Sequence, residues 1–346
     1  MPRSNDTPFR ELSYRQQLRH LRSLAAALLK EYGLTGVSPA LIRYQHHALY
    51  RVATSRGEQL LLRIAGGDRD SPDEFRAQIA WQEALWEDHL PVPEPVRTLD
   101  GRLTGSMKLD ESGDALCALM RWAHGRRIGD SAGIQVMRQA GALAARLHEH
   151  SRRSTFCGEG SLPRWDVTAI SEPERWTAGL DKHSRATICK VAHVVEDALL
   201  ELDTGPDSFG VIQADLHVGN LVLRRGRLVL IDFGDCGRGF YLYDLVIMLE
   251  VLRFRMSSRA ETLGSAFLEG YSRVAALPKG AAALFPTFLV FRELINLRYV
   301  LESQNWRTQQ WASRWAPESI RKLETYLKAE GQDAGGPFSL PAFFTP

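Results

Sequence analysis

Cysteine, net charge and uninterrupted apolar sequence are all scarce in this chain. Four cysteines in 346 residues, Cys117, Cys157, Cys189 and Cys236, stand far apart and form no C-x-x-C pair. That spacing argues against a disulfide framework or a zinc site and suits thiols kept reduced in a cytoplasm. With 43 Lys and Arg against 41 Asp and Glu, the formal charge is only +2. A dedicated nucleic-acid binder carries a concentrated basic excess that is absent here. No apolar run reaches the roughly 18 residues of a membrane span, because Arg or Glu breaks the longest candidates. The opening residues MPRSNDTPFREL show no apolar stretch behind their charges, so no secretory signal is expected. These shortages predict a cytoplasmic protein without nucleic-acid or membrane partners.

What is present suffices for a substantial core, since 44% hydrophobic and 24% charged residues is ordinary globular usage. Residues 11–31 have the periodicity of an amphipathic helix, stopping at Gly33. Strand character follows at 41–45, 48–54 and 59–65, with Ser55-Arg56-Gly57 turning the last two into a hairpin. Ser71-Pro72-Asp73-Glu74 predicts a helix start: Ser71 caps, Pro72 takes the first position and Glu74 completes a capping box. That helix should run to about His89. Further strands are expected near 96–99, 103–109 and 115–122. From Gly133 onward helices are expected over 133–151, 185–203, 240–255, 258–276, 281–303 and 316–330, with short strands at 221–224 and 227–231.

Strands first and helices afterwards predict an α+β fold with two lobes. The first is a small antiparallel β-sheet with one helix; the second is larger and mainly helical. The expected division is an N-terminal helical extension over 1–35, an N-lobe over 36–122, a C-lobe over 123–330 and an extended tail over 331–346. The three phenylalanines of the tail are candidates for docking on the body.

The segment richest in chemistry is VIQADLHVGNLVLRRGRLVLIDFGDCGRGF, residues 211–240. Asn220 opens a strand, Arg225-Gly226 is a turn, and Ile231-Asp232 closes the return strand. Pairing about that turn sets Asn220 and Asp232 at one open end of a hairpin, with Asp215 just upstream. Hard oxygen ligands of this kind suit Mg²⁺, which takes one or two carboxylates together with phosphate oxygens. A further carboxylate nearby can orient a hydroxyl and accept its proton, the division of labour that phosphoryl transfer needs.

Asp215-Leu216-His217-Val218-Gly219-Asn220 and Ile231-Asp232-Phe233-Gly234-Asp235 resemble the catalytic and metal motifs of the aminoglycoside phosphotransferase/choline kinase family. Those motifs are relatives of the H-R-D-x-x-x-x-N and D-F-G motifs of protein kinases. The resemblance implies a protein-kinase-like fold over about residues 35–305 and a kinase with an alcohol group as acceptor. ATP and Mg²⁺ would be the cofactors and a small-molecule hydroxyl the acceptor. It implies Asp215 as catalytic base and Asn220 and Asp232 as metal ligands. It also implies nucleotide contacts at Arg63, Gln78, Met120 and Trp122, and Asp244 capping its helix and supporting the catalytic loop. Two other functions fit the same motifs: a protein Ser/Thr kinase of the bacterial stress-response type, and a nucleotide-binding regulatory pseudokinase.

The chain departs from the family pattern at several points. Gln213-Ala214 stands where the family has His-Gly, and Gln can donate and accept in its place. Arg63 stands for the usual phosphate-gripping Lys. Gln78 falls where its acidic partner belongs, with Glu74 and Glu83 as alternatives. His46 and His47 read as solvent-exposed loop residues, and His148 and His150 as helix-surface or packing residues. Arginines in the last helices, Arg253, Arg255, Arg259, Arg292, Arg298, Arg307 and Arg314, would line an acceptor wall that favours neutral or anionic hydroxyl compounds.

Overall fold

A computed structural model of the chain describes residues 8–45, 47–65, 71–110, 113–156, 158–303, 306–328 and 338. The chain forms two compact units. The first comprises residues 1–126, 155–162 and 222–234; the second comprises 127–154, 163–221 and 235–346.

In the first unit, α1 (Tyr14–Leu28) begins at Ser13, which makes a capping box with Gln16. Strands β1 (Ala40–Tyr44), β2 (His47–Ala53) and β3 (Gln59–Ala65) are followed by α2 (Pro72–Glu87). Then come β4 (Pro95–Val96), β5 (Gly105–Asp110) and β6 (Gly113–Arg121). They make one sheet in the order β1-β2-β3-β6-β4, with β5 also on β6. The period of two along β6 assigns its side chains to two faces. Ala115, Cys117 and Leu119 pack with Leu21, Leu24, Ala25 and Leu28 of α1, while Leu116, Ala118 and Met120 pack with Phe75 and Ile79 of α2. The helix expected as an N-terminal extension is therefore one of the two layers covering this sheet.

The strand β7 (Arg126–Arg127) leads into the second unit, whose helices are α3 (Ile134–Arg153), α4 (Pro173–Trp176) and α5 (Lys182–Leu200), then α6 (Tyr241–Arg255), α7 (Ala260–Ser272), α8 (Ala281–Glu302) and α9 (Trp306–Lys328). Between them, β8 (Arg164–Trp165), β9 (Phe209–Ile212) and β12 (Gly237–Phe240) form a small sheet. The intervening β10 (Leu221–Arg224) and β11 (Arg227–Leu230), which belong to the first unit from Val222 on, pair as the hairpin read from the sequence. Arg225 and Gly226, at φ of 48° and 78°, give its turn the two positive φ angles of a type I′ connection. Helix α6 is apolar all round and is buried along Tyr241–Leu249, which makes it the central post of its unit.

Three expectations need correction. Strand β4 is two residues long, because Thr98 N–H turns back to Arg102 O at 2.8 Å and Leu99 is left exposed. Helix α9 starts ten residues before 316, and Pro317 lies inside it. The sheet of β8, β9 and β12 was not anticipated, since its strands are too short to show alternation. The tail lies outside the described residues except for Phe338, which is buried and meets Tyr326 edge-on at 5.9 Å. Among the described residues, no helix is long and apolar enough to cross a membrane.

Candidate active site

In the first unit the polar cluster is built on β3. Arg63 pairs with Leu49 and Ala118 in the sheet and is 5% exposed. Its guanidinium lies over the Phe75 ring at 4.7 Å. Its Nη2 donates to Gln78 Oε1 and lies 3.2 Å from His47 Nε2. Gln78, itself buried, donates through Nε2 to Gly234 O at 3.1 Å. The structure thus brings Arg63 and Gln78 together. Glu74 is spent on Ser71 in the capping box and Glu83 pairs with Arg97 at 2.7 Å.

Gly234 lies beside the same side chains, and a Cβ there would make only ordinary contacts. A Cβ there would lie 3.4 Å from Asp232 Oδ1, 3.7 Å from Arg63 Nη2 and 3.7 Å from His47 Cε1. Asp232 presents an exposed side chain from a backbone at φ 67°, a conformation that non-glycine residues adopt at a cost and that marks functional loops. His47, expected as an exposed loop residue, instead opens β2 and is half-buried against Arg63. His46 lies outside the described residues. Met120 is buried near the end of β6. The Trp122 amide beyond it donates to Gln59 O at 3.1 Å.

In the second unit the sequence 213–220 is a tight loop held from below. Asp244 is buried in the first turn of α6, and its two oxygens accept the N–H groups of Ala214 at 2.7 Å and Gln213 at 3.0 Å. This clamp holds Ala214 at φ 59°. Gln213 Oε1 accepts Asp215 N–H at 2.9 Å, so the side chain that replaces histidine still organises the turn. Phe240, not Asp244, occupies the cap position of α6, which corrects the capping role while keeping the loop support.

The anchor continues inward. His148 Nε2 lies 3.2 Å from Asp244 Oδ2, and Nδ1 lies 2.9 Å from the Tyr271 hydroxyl. Burial pushes the His148 imidazole below its ordinary pKa despite the Asp244 carboxylate. The neutral ring therefore donates from Nε2 and accepts at Nδ1. Sequence alone reads His148 as a helix-surface or packing residue, because its partners are 96 and 123 residues away.

Asp215 emerges from this loop with its side chain 30% exposed. Its Oδ2 accepts from Asn220 Nδ2 at 2.9 Å and faces His217 Nε2 at 3.3 Å. His217 Nδ1 accepts the Gly219 N–H at 2.9 Å, which leaves the ring proton on the nitrogen facing Asp215. Burial pushes the Asp215 carboxyl up. The His217 hydrogen bond, the Arg292 charge and the Asn220 amide outweigh it and hold the group below the ordinary aspartate range. Asn220 is buried, and its Nδ2 also donates to Asp215 O at 3.1 Å. With both amide hydrogens directed at Asp215, its Oδ1 points the other way as a hard oxygen donor.

The arginine wall is not single-signed. Arg292 donates to Glu250 at 2.5 Å, Arg298 to Glu302 at 3.1 Å, and Arg255 pairs with Asp130 at 2.8 Å. Arg259 donates to Ala132 O, and the Arg307 side chain lies outside the described residues. These pairings offset the positive charge from which a neutral or anionic acceptor was expected.

The sequence model of the phosphotransferase enzyme family matches residues 44–282, more than half of the chain. Amicoumacin kinase of Bacillus subtilis (strain 168) is 20% identical over 289 residues, covering 81% of this chain and 84% of that protein. Among solved structures, amicoumacin kinase in complex with AMP-PNP and Ca²⁺ superposes with a TM-score of 0.75 at 19% identity, covering 90% of this chain and 96% of that one. A microcompartment-associated aminopropanol kinase superposes with a TM-score of 0.73 at 25% identity, covering 89% and 98%. The two-lobed, protein-kinase-like α+β architecture expected from the sequence is the one these proteins share.

Proposed function

The chain belongs to the phosphotransferase enzyme family, and from that premise we propose that it moves the γ-phosphate of ATP to a hydroxyl of a small-molecule acceptor. The observation that carries this reading is Asp215: a part-exposed carboxylate kept deprotonated, on a loop pinned through Asp244. Oδ2 is occupied by Asn220 and His217, so Oδ1 is the atom that orients the acceptor hydroxyl and takes its proton. The His217 N–H spreads the charge of that carboxylate and fixes its plane.

Asn220 Oδ1 and the Asp232 carboxylate would hold Mg²⁺. Among the described residues no cluster of three or more His, Cys, Asp or Glu side chains could hold a metal. An ion completed by phosphate and water oxygens suits such a sparse set better than a protein cage. Bound there, Mg²⁺ with its nucleotide would neutralise phosphate charge as the bond to the leaving oxygen breaks. Arg63 would grip the phosphates through its planar, forked guanidinium, and Gln78 would hold that group in place. Met120 and Trp122 would border the adenine. Because the Trp122 amide is engaged by Gln59, its carbonyl is the group left to accept from the base.

Amicoumacin kinase and aminopropanol kinase, both similar to this chain, support a small-molecule acceptor. An ATP-consumption screen over amino alcohols, other hydroxylated metabolites and antibiotics tests the proposal, with phosphorylated products identified by mass. With the best acceptor, Asp215→Asn is expected to lose on the order of 10²–10⁴ in kcat while calorimetric ATP affinity stays close to native. Near-native turnover by that variant would remove Asp215 from the role.

A further inference from the structure

The contacts of Gln78 are chemically one-directional. Arg63 Nη2 can only donate, and the Gly234 carbonyl can only accept. A side chain lying between them must accept at one end and donate at the other, as Gln78 does with Oε1 and Nε2. This requirement also settles which end of the amide is oxygen. A glutamate in the same place would set a second acceptor against Gly234 O in a site where the side chain is only 1% exposed. Unsatisfied acceptors are most costly in such low-dielectric surroundings.

Helix α2 delivers this amide together with its support. Phe75 and Gln78 are three residues apart and share one helix face; Phe75 lies beneath the guanidinium and Gln78 bonds its edge. Gly234 is two residues beyond Asp232, so Gln78 links the phosphate-gripping arginine directly to the strand end bearing the metal carboxylate.

We propose that Gln78 is a positioning residue whose carboxamide couples Arg63 to the metal motif, and that glutamate cannot replace it in this chain. The proposal rests on the reading of Arg63 as the phosphate clamp. The position is therefore not a weakened version of the acidic partner found in the family pattern: Arg63, Gln78 and the Gly234 carbonyl form a matched set of donor and acceptor.

The test measures calorimetric affinity for Mg²⁺·AMP-PNP, with KM for ATP and kcat, in the wild type, Q78E, Q78M and R63A. Each is followed across the pH range in which a buried carboxyl titrates. At neutral pH, Q78E should bind about 10- to 100-fold more weakly than the wild type, from a lost hydrogen bond and a stranded acceptor. As pH falls, the protonated carboxyl can accept from Arg63 and donate to Gly234, so the ratio to wild type should recover. Among the described residues, the other titratable or charged groups at this site are Arg63, His47 and, beyond Gly234, Asp232. They are common to both proteins and largely cancel in that ratio. Q78M should stay weak throughout, and a purely structural role would lower thermal stability in both variants without the acid recovery. Neutral-pH affinity of Q78E equal to or above wild type would overturn the proposal, as would the absence of acid recovery. If R63A leaves nucleotide affinity intact, the clamp reading itself fails. If R63A weakens binding and Q78E does not, only the coupling inference fails.

Discussion

His148 shows what one buried side chain can do for the loop that carries Asp215. It supports Asp244, which in turn holds the backbone of Gln213 and Ala214 immediately before Asp215. Its imidazole is neutral in the fold because burial disfavours the charged form. The unfolded chain would take up that proton near pH 6.5. A histidine whose folded pKa is depressed contributes stability that is present above the unfolded value and lost as pH falls below it. Urea unfolding of the wild type should therefore show stability declining below about pH 6.5. His148→Asn, with nothing to protonate, should be less stable at neutral pH and show a shallower decline. Parallel declines in the two proteins would assign the acid sensitivity to other groups.

Helices α3 and α7 cross at two glycines, and the approach is governed by missing side-chain atoms. A Cβ on Gly141 would lie 1.9 Å from Phe267 O, and one on Gly270 would lie 2.0 Å from Arg138 O. Both collisions are with backbone, which no rotamer change relieves. Since α3 carries His148 and α7 carries Tyr271, the closeness of this crossing lets the two side chains meet at 2.9 Å. Gly141→Ala should cost at least about 1–3 kcal/mol, the usual range for overpacking. It should also lower turnover more than Gly179→Ala, where no atom lies within 4 Å of the added carbon. Thermal unfolding of the two variants checks the first expectation, and their kcat values the second. A thermally silent Gly141→Ala would show that the helices separate freely.

For the whole molecule, ligand binding should be visible as stability. A nucleotide that binds only the folded chain stabilises it by about 2.7 kcal/mol at 100 times its Kd. On the proposed metal assignment, AMP-PNP with Mg²⁺ should raise the melting temperature clearly and AMP-PNP with chelator much less. Asp232→Ala should remove most of that difference. Equal shifts with and without Mg²⁺, or an unchanged difference in Asp232→Ala, would refute the assignment.

The local order of elements was legible because its causes are local. The capping box of Ser71 and Glu74, the two-residue turn at Arg225-Gly226 and the alternating faces of β2 and β3 depend on residues a few positions apart. The fold class followed from their succession, and the residues of the proposed catalytic and metal motifs stood out for the same reason. Short strands such as β8 and β12 left no periodic trace; β12 is held by its register with β9, more than 20 residues away. The sequence by itself could place Arg63 and Gln78 on neighbouring elements but could not say that Gln78 faces both a donor and an acceptor. Nor could it distinguish His148, a buried link to Asp244, from a histidine on a helix surface. Only the tertiary structure decided these points, because hydrogen-bond direction and burial depend on groups that folding brings together from distant parts of the chain.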